Sequence, residues 1–226
     1  MTDQTGSAHP QPEGAGLDEG GPPSAKLRAR LLEAMLEIAP DKGWTVAAMQ
    51  TAAERAGLSQ GELELCAPNG PSDLLEELGK RSAKAAERAL GRADLSGLKI
   101  REKVRLGVKA YLGALSPHKA AVKRGAVSPA NVLAGPKALW AAADSVWSAL
   151  GDTSTDYNWY TKRIILSGVI GSTMAVWLEA KSGEEVDTFL DRRIENVMEF
   201  EKTKAKVLDA FSKMPNPFDM MGKGKG

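Results

Sequence analysis

Apolar residues recur along most of the chain at spacings of three and four, the pattern that predicts amphipathic helices. Leu27, Leu31 and Met35 begin the first such run, which we expect to end before Pro40. Further helices are predicted over residues 45–56, 59–65, 71–90, 100–115, 117–126, 136–150, 156–178 and 184–200, and from 203 onward. The pattern predicts an all-α fold.

The run from Ile164 to Leu178 is apolar around most of its circumference. Such a helix lies inside a protein or in a membrane, and this run is too short and too rich in Gly, Ser and Thr to cross a bilayer. We therefore expect the central helix of the domain here. The two turns before it carry Trp159, Tyr160 and Arg163, a mixture that stability alone does not explain.

Composition limits the chemistry. The 226 residues suffice for one helical domain with tails, and 30 Lys and Arg balance 29 Asp and Glu, so overall charge indicates no nucleic-acid partner. Cys66 is the single cysteine, and His9 and His118 are the two histidines. No metal, nucleophile or phosphate-loop motif occurs. We predict a protein that is not an enzyme and needs no cofactor.

Residues 1–24 hold five Gly, four Pro and no Lys or Arg. This composition favours disorder, because it offers too little apolar surface to order a chain. It also lacks the apolar stretch of a secretory signal and the arginines of a mitochondrial presequence. We expect a cytoplasmic protein.

Residues 25–70 have the spacing of a helix-turn-helix domain. Thr45 can cap one helix, and Ser59 with Glu62 forms a capping box for the next. In detail, the segments 44–46 and 56–59 resemble the N-terminal domain of TetR-type repressors, and a ligand-responsive regulator is the alternative function. Charge opposes it, since no Lys or Arg lies between Arg55 and Lys80 while five acids do. DNA affinity depends on cations that contact phosphates.

Helices over 136–150 and 156–178 are joined by a short loop, so we expect them to be antiparallel neighbours. Trp140, Asp144 and Trp147 share one stripe of the first helix, and Trp147 should approach Trp159 and Arg163. Aromatics with an arginine are typical of a protein-binding hot spot. Equally, they are typical of plain packing, with Trp159 and Arg163 as a cation–π pair.

The octet Asp156–Arg163 and the segment Phe189–Ile194 are similar to a TetR-fold accessory family of ubiquinone (coenzyme Q) biosynthesis. The likeness covers about residues 26–214. It implies an all-helical, non-catalytic homodimer that binds isoprenoid or quinone lipid and associates with membranes. It also implies docking to the di-iron hydroxylase of demethoxyubiquinone and presentation of the intermediate to it. Eukaryotic members act on the matrix side of mitochondria, and a bacterial member is expected on the cytoplasmic side of the inner membrane.

The resemblance implies roles for particular residues. The lipid-binding candidates are Tyr111, Ile165, Val169, Met174 and Trp177. The hydroxylase-facing candidates are Trp147, Trp159, Tyr160 and Arg163. By analogy with TetR folds, residues 71–200 form the lipid-binding domain and dimerise through the last two helices of that span.

Residues 201–226 combine an apolar stripe with six lysines. An amphipathic helix flanked by lysines suits an anionic membrane surface, although it could also fold back on the domain. The membrane-binding candidates are Lys206, Val207, Leu208, Phe211, Lys213 and Met214.

Overall fold

The computed structural model describes residues 22–155 and 157–212. All regular elements of these residues are helical, so the predicted all-α fold is confirmed. The α-helices are α1 (Pro23–Lys42), α2 (Val46–Arg55), α3 (Gln60–Cys66), α4 (Pro71–Arg92), α5 (Ile100–Leu115), α6 (Lys119–Ala126), α7 (Asn131–Ala149), α8 (Tyr157–Glu179) and α9 (Gly183–Ser212). A 3₁₀ turn over Ser116–His118 precedes α6.

Helices α1 to α3 form the N-terminal three-helix unit. The predicted caps are present: Thr45 Oγ1 accepts from Ala48 N at 3.1 Å, and Ser59 and Glu62 form the capping box that begins α3. Trp44 is buried and donates from Nε1 to the carbonyl of Ala121 in α6 at 2.9 Å. This bond joins the three-helix unit to the rest of the chain.

Two prolines expected to bound helices lie inside them instead. Helix α1 continues through Pro40, and α7 begins before Pro136 and continues through it. A proline within a helix removes one backbone hydrogen bond to the residue four positions earlier. Near Pro40 the lost hydrogen bond is offset by burial of Ile38 and Ala39. Near Pro136 the carbonyl that loses its partner belongs to Val132, and Val132 is 72% exposed.

The predicted division between a ninth helix and a separate amphipathic helix is wrong, because α9 is continuous from Gly183 to Ser212. No Gly or Pro occurs from Glu184 to Ser212, and residues 199–206 are mostly good helix formers. Nothing in this segment therefore ends the helix. At the other end of the chain, α1 begins at Pro23, within the predicted tail.

Helix α4 packs mainly against α7 and α5, and α8 lies between α7 and α9. One side of α8, the predicted central helix, is open to solvent in the single chain. Leu166, Ile170 and Trp177 face inward, but Ile164 is 61% exposed and Gly168 and Ala175 lie on the exposed side. An apolar helix with one open face is a candidate for contact with another molecule.

Candidate functional site

Three aromatic side chains form one cluster where α7 and α8 run side by side. The ring centroids of Trp159 and Tyr160 are 4.7 Å apart, and those of Trp159 and Trp140 are 5.6 Å apart, both in edge-on arrangements. Tyr160 is 57% exposed, and the two tryptophans are partly exposed. We call Trp140, Trp159 and Tyr160 the aromatic surface.

Arg163 lies directly beneath the aromatic surface. Its side chain is only 2% exposed, and its guanidinium carbon is 4.0 Å from the ring centroid of Trp159. Its Nε donates to Asp144 at 2.6 Å, and one terminal nitrogen donates to the carbonyl of Trp159 at 3.1 Å. A buried cation needs such acceptors, because burial removes its hydration.

Asp152, in the loop between α7 and α8, is the second acid beside Arg163. Its side chain is 4% exposed and accepts from Arg163 at 3.1 Å, from Lys162 at 2.6 Å and from Ser154 Oγ at 2.8 Å. Burial by itself raises the pKa of the Asp152 carboxyl, but hydrogen bonds from Lys162, Ser154 and Arg163 outweigh it and hold this pKa well below its usual range. Asp152 is therefore a carboxylate at neutral pH.

The hydroxylase-facing candidates are not all at the surface. Trp159 and Tyr160 belong to the aromatic surface, whereas Arg163 supports it from below. Trp147 lies near the end of α7, and its Nε1 donates to the carbonyl of Lys162 in α8 at 3.1 Å. Their contact with a partner stays a prediction.

Sequence reasoning missed two members of this site. Trp140 shares the predicted stripe with Asp144, one helical turn earlier in α7, and that spacing was the available signal. Asp152 follows the loop glycine Gly151, and an acid in a short loop is ordinarily exposed. Its burial follows from the position of two cations, which the sequence pattern does not reveal.

An apolar groove lies between α5, α8 and α9, next to the first turns of α8. Its volume is about 260 Å³, and Val104, Ile165, Leu166, Val169, Ile194 and Met198 are among its lining residues. Arg101, Asn158, Thr161 and Lys162 also line it. We call this space the outer groove. It brings together two of the lipid-binding candidates, Ile165 and Val169, with the partner candidate Trp147.

A second space, the inner cavity, lies among α4, α5, α6, α7 and α8. Its volume is about 230 Å³, and it is lined by two other lipid-binding candidates, Tyr111 and Met174. Tyr111 is buried, which raises the pKa of its hydroxyl to about 12. Trp177 lines neither space and packs in the core, with Lys119 Nζ 5.4 Å from its ring centroid. The lipid-binding candidates are thus divided between two spaces.

The membrane-binding candidates fall largely outside the described residues. Lys206, Val207, Leu208 and Phe211 lie on the helical backbone of α9, but their side chains are not among those described, and Lys213 and Met214 lie beyond it. Within residues 22–155 and 157–212, the helices are too short or too polar to cross a bilayer. The same residues contain no cluster of three His, Cys, Asp or Glu side chains able to hold a metal ion.

Comparison with known proteins places the site within a recognised segment. Residues 132–201, which span α7, α8 and most of the described part of α9, match the COQ9 family model. This segment contains the aromatic surface, Asp144, Asp152 and Arg163. It also contains the α8 and α9 walls of the outer groove.

Full-length relatives extend the likeness. The chain is 30% identical over 193 residues to the rat mitochondrial ubiquinone biosynthesis protein COQ9, covering 80% of this chain and 62% of the rat protein. It is 30% identical to the bovine protein of the same name, covering 80% of this chain and 60% of that protein. It is 28% identical over 218 residues to the human protein of the same name, covering 89% of this chain and 68% of the human protein. The chain spans about three fifths of the length of the rat and bovine relatives.

A solved structure of a TetR-family transcriptional regulator from Mesorhizobium loti shares 12% identity with the chain at a TM-score of 0.45, covering 80% of this chain and 98% of that one. The matched family segment and the relatives together confirm the resemblance predicted from the octet Asp156–Arg163. The chain is similar to the COQ9 proteins, whose names assign them to ubiquinone biosynthesis.

Proposed function

We propose that this chain is a lipid-binding accessory protein of ubiquinone biosynthesis. It holds a quinone or isoprenoid intermediate at a membrane surface and presents it to the demethoxyubiquinone hydroxylase, without catalysing a reaction itself. The observation that carries the proposal is that the outer groove and the aromatic surface share the first two turns of α8. A lipid in the groove would lie beside the surface that a hydroxylase would contact.

The outer groove supports the lipid part of the proposal. Its walls are mainly aliphatic, and Met198 adds a side chain that adapts to varied apolar shapes. At about 260 Å³ it lies just below the range typical of drug-sized ligand pockets, so it would cover part of a polyisoprenoid chain. Each Å² of apolar surface that the lipid and the groove remove from water would contribute about 25 cal/mol to the free energy of binding.

The aromatic surface supports the partner part. Hot spots of protein interfaces are enriched in Trp, Tyr and Arg that pack against one another. Here Tyr160 and Trp159 are presented by a helix whose Arg163 is already paired with acids of the same chain. A partner would therefore gain aromatic contact area without having to neutralise a buried charge.

The open face of α8 supports a homodimer. Ile164, Gly168 and Ala175 form an apolar, small-residue face on which a second copy could pack closely. The lysines of residues 201–226 support contact with an anionic membrane surface. Both features belong to the proposal and await their own tests.

Lipid binding is tested by native extraction of the full chain and mass spectrometry of the lipid that co-purifies. Two matched variants separate the two spaces: Met198→Trp fills the outer groove, and Met174→Trp fills the inner cavity. Both methionines are half-buried, so we expect the two substitutions to destabilise the fold to a similar extent. We expect quinone or isoprenoid with the wild type and Met174→Trp, and at least tenfold less with Met198→Trp.

The reverse pattern, with lipid lost only in Met174→Trp, would move the site to the inner cavity around Tyr111. If the wild type yields no apolar lipid at all, the lipid part of the proposal is wrong.

Partner binding is tested by capture of the purified hydroxylase from the same organism. Trp159→Lys places a charge in the aromatic surface, and Val127→Lys places the same charge on a residue that is 82% exposed, directly after α6. Loss of a hot spot costs about 2 kcal/mol or more, so we expect at least about thirtyfold weaker capture for Trp159→Lys alone. Equal capture by the two variants would remove the partner role from this surface.

A further inference from the structure

The loop between α7 and α8 holds Asp152 in a defined place. Gly151 has φ of +75°, a conformation that favours glycine, and its N–H donates to the carbonyl of Ser148 at 3.0 Å. The N–H of Asp152 donates to the carbonyl of Trp147, also at 3.0 Å. These two bonds form the Schellman arrangement that ends a helix. The backbone of Asp152 is thus attached to the last turn of α7.

From that place Asp152 binds two consecutive cations of α8. One carboxylate oxygen accepts from Lys162 Nζ at 2.6 Å, and the other accepts from Arg163 at 3.1 Å. Arg163 has a second acid, Asp144, but the Asp144 side chain is 43% exposed while that of Asp152 is 4% exposed. The bond to Asp144 is the shorter of the two, at 2.6 Å against 3.1 Å, but a charge pair is screened less when both partners are buried, so solvent weakens the Asp152 pair less than the Asp144 pair.

The restrained guanidinium packs against the ring of Trp159. The guanidinium carbon lies 4.0 Å from the ring centroid, and the same terminal nitrogen that donates to Asp152 also donates to the carbonyl of Trp159. Trp159 in turn makes the edge contacts with Trp140 and Tyr160. A displacement of Arg163 would therefore be transmitted to the aromatic surface.

We infer that Asp152 is a positioning residue: it holds the Arg163 guanidinium against Trp159 and so sets the orientation of the aromatic surface for its protein partner, without touching that partner. The inference rests on the proposed function only for the identity of the partner. The orientation of Trp159 is measurable in the chain alone.

The first test is ¹⁹F NMR of the full chain labelled with 5-fluorotryptophan. The chain has five tryptophans, and the Trp159 resonance is identified by its loss in Trp159→Phe. Asp152→Asn should shift or broaden that resonance while leaving those of Trp44 and Trp177 in place. Asp187→Asn is the matched control, because Asp187 also pairs with two cations, Arg105 and Lys109, but lies between α5 and α9. An unchanged Trp159 resonance in folded Asp152→Asn would overturn the inference.

The second test is a double-mutant cycle for hydroxylase affinity. Asp152→Asn should weaken binding about tenfold in the wild-type background and less than about twofold in the Trp159→Ala background, since contacting residues couple by such amounts. A purely structural role would weaken binding equally in both backgrounds, which would contradict the inference. If Trp159→Ala itself leaves affinity unchanged, the partner assignment of the proposed function fails, and the NMR result still decides the role of Asp152.

A milder variant covers the case in which Asp152→Asn does not fold. Arg163→Lys keeps the charge beside Asp152 and Asp144 but loses the planar group that stacks on Trp159. We expect it to shift the Trp159 resonance and to weaken hydroxylase binding. A Trp159 resonance unmoved in this variant would equally overturn the inference.

Discussion

Arginines occupy opposite environments in the N-terminal three-helix unit and in the α7–α8 pair. Arg28 of α1 donates to the carbonyl of Cys66 at the end of α3 at 2.6 Å, and exposed Arg30 donates to the carbonyl of Ala56 just after α2. Arg163 of α8 is buried between two acids and a tryptophan ring. Arg28 and Arg30 thus stabilise the ends of helices, whereas Arg163 supports a surface from within.

The difference bears on the prediction that the three-helix unit does not bind DNA. Two arginines of the three-helix unit are used to bond helix carbonyls, while α3 presents Glu62 and Glu64 to solvent. Carboxylates there would repel phosphates. In the α7–α8 pair Asp144 and Asp152 are instead neutralised by Arg163, and Trp159 and Tyr160 form the surface beside them.

The largest expected effect comes from removing the buried arginine. Arg163→Met leaves Asp152 buried with one cation fewer, and breaking a buried ion pair in this way costs about 3–5 kcal/mol. Arg30→Met removes one exposed hydrogen bond and should cost about 0.5–1.5 kcal/mol. Urea unfolding of both variants measures the two free energies. Similar losses would show that the two environments do not differ as the geometry indicates.

The pH dependence of stability sharpens the comparison. The pKa of Asp152 is lowered on folding, so its contribution is complete above the unfolded pKa of about 3.9 and is lost as the pH falls through that value towards the folded pKa. Asp152→Asn should therefore flatten the acid limb of a plot of urea midpoint against pH between about 5 and 2.5.

The control for that experiment is Asp94→Asn. The pKa of the exposed Asp94 is also lowered, by hydrogen bonds from Ser96, but among the described residues this acid pairs with no buried cation. Its substitution should flatten the acid limb less. Parallel limbs for wild type and Asp152→Asn would contradict the assigned environment of Asp152.

Glycine substitutions compare packing in the two regions. A Cβ at Gly79 of α4 would lie 2.4 Å from the Cβ of Ala138 in α7, so Gly79→Ala should destabilise the protein by about 1–3 kcal/mol. A Cβ at Gly61 of α3 would meet no atom within 4 Å, so Gly61→Ala should stabilise it by up to about 1 kcal/mol. Thermal unfolding of the two variants gives the sign of each change in stability. The same sign for both variants would argue against the close approach of α4 and α7.

The smallest expected effect concerns the cap of α3. Ser59→Ala removes one half of the capping box and should cost about 1 kcal/mol, because the first N–H groups of α3 lose an acceptor. Ser96→Ala, which changes a serine in the loop after α4, is a matched control. If chemical denaturation shows equal losses of unfolding free energy for Ser59→Ala and Ser96→Ala, the capping box does not stabilise α3.

Much of the fold follows from local sequence signals. The bounds of α5 and the caps Thr45 and Ser59 were predicted correctly, because apolar spacing and capping chemistry act within a few residues. Pro40 and Pro136 were read as boundaries, yet burial of Ile38 and Ala39 offsets the hydrogen bond lost at Pro40, and exposure of Val132 lowers the cost of the bond lost at Pro136. Local sequence signals do not reveal how tertiary packing stabilises a helix that continues through a proline.

The site was predictable only in part for the same reason. The i, i+4 spacing of Trp159 and Arg163 and the short loop after α7 predicted that aromatics and an arginine would meet. The burial of Asp152 depends on a helix end, two cations and a turn acting together. The division of Tyr111 and Ile165 between two separate spaces depends on how the six helices α4 to α9 pack, which apolar periodicity does not encode.

Photoaffinity labelling with a diazirine-bearing prenyl quinone tests the central claim most directly. The account predicts cross-links to peptides containing Ile165, Val169 and Met198 around the outer groove, competed by unlabelled prenyl quinone and lost in Met198→Trp. Cross-links confined to peptides containing Tyr111 and Leu115, or labelling that unlabelled lipid does not reduce, would contradict it.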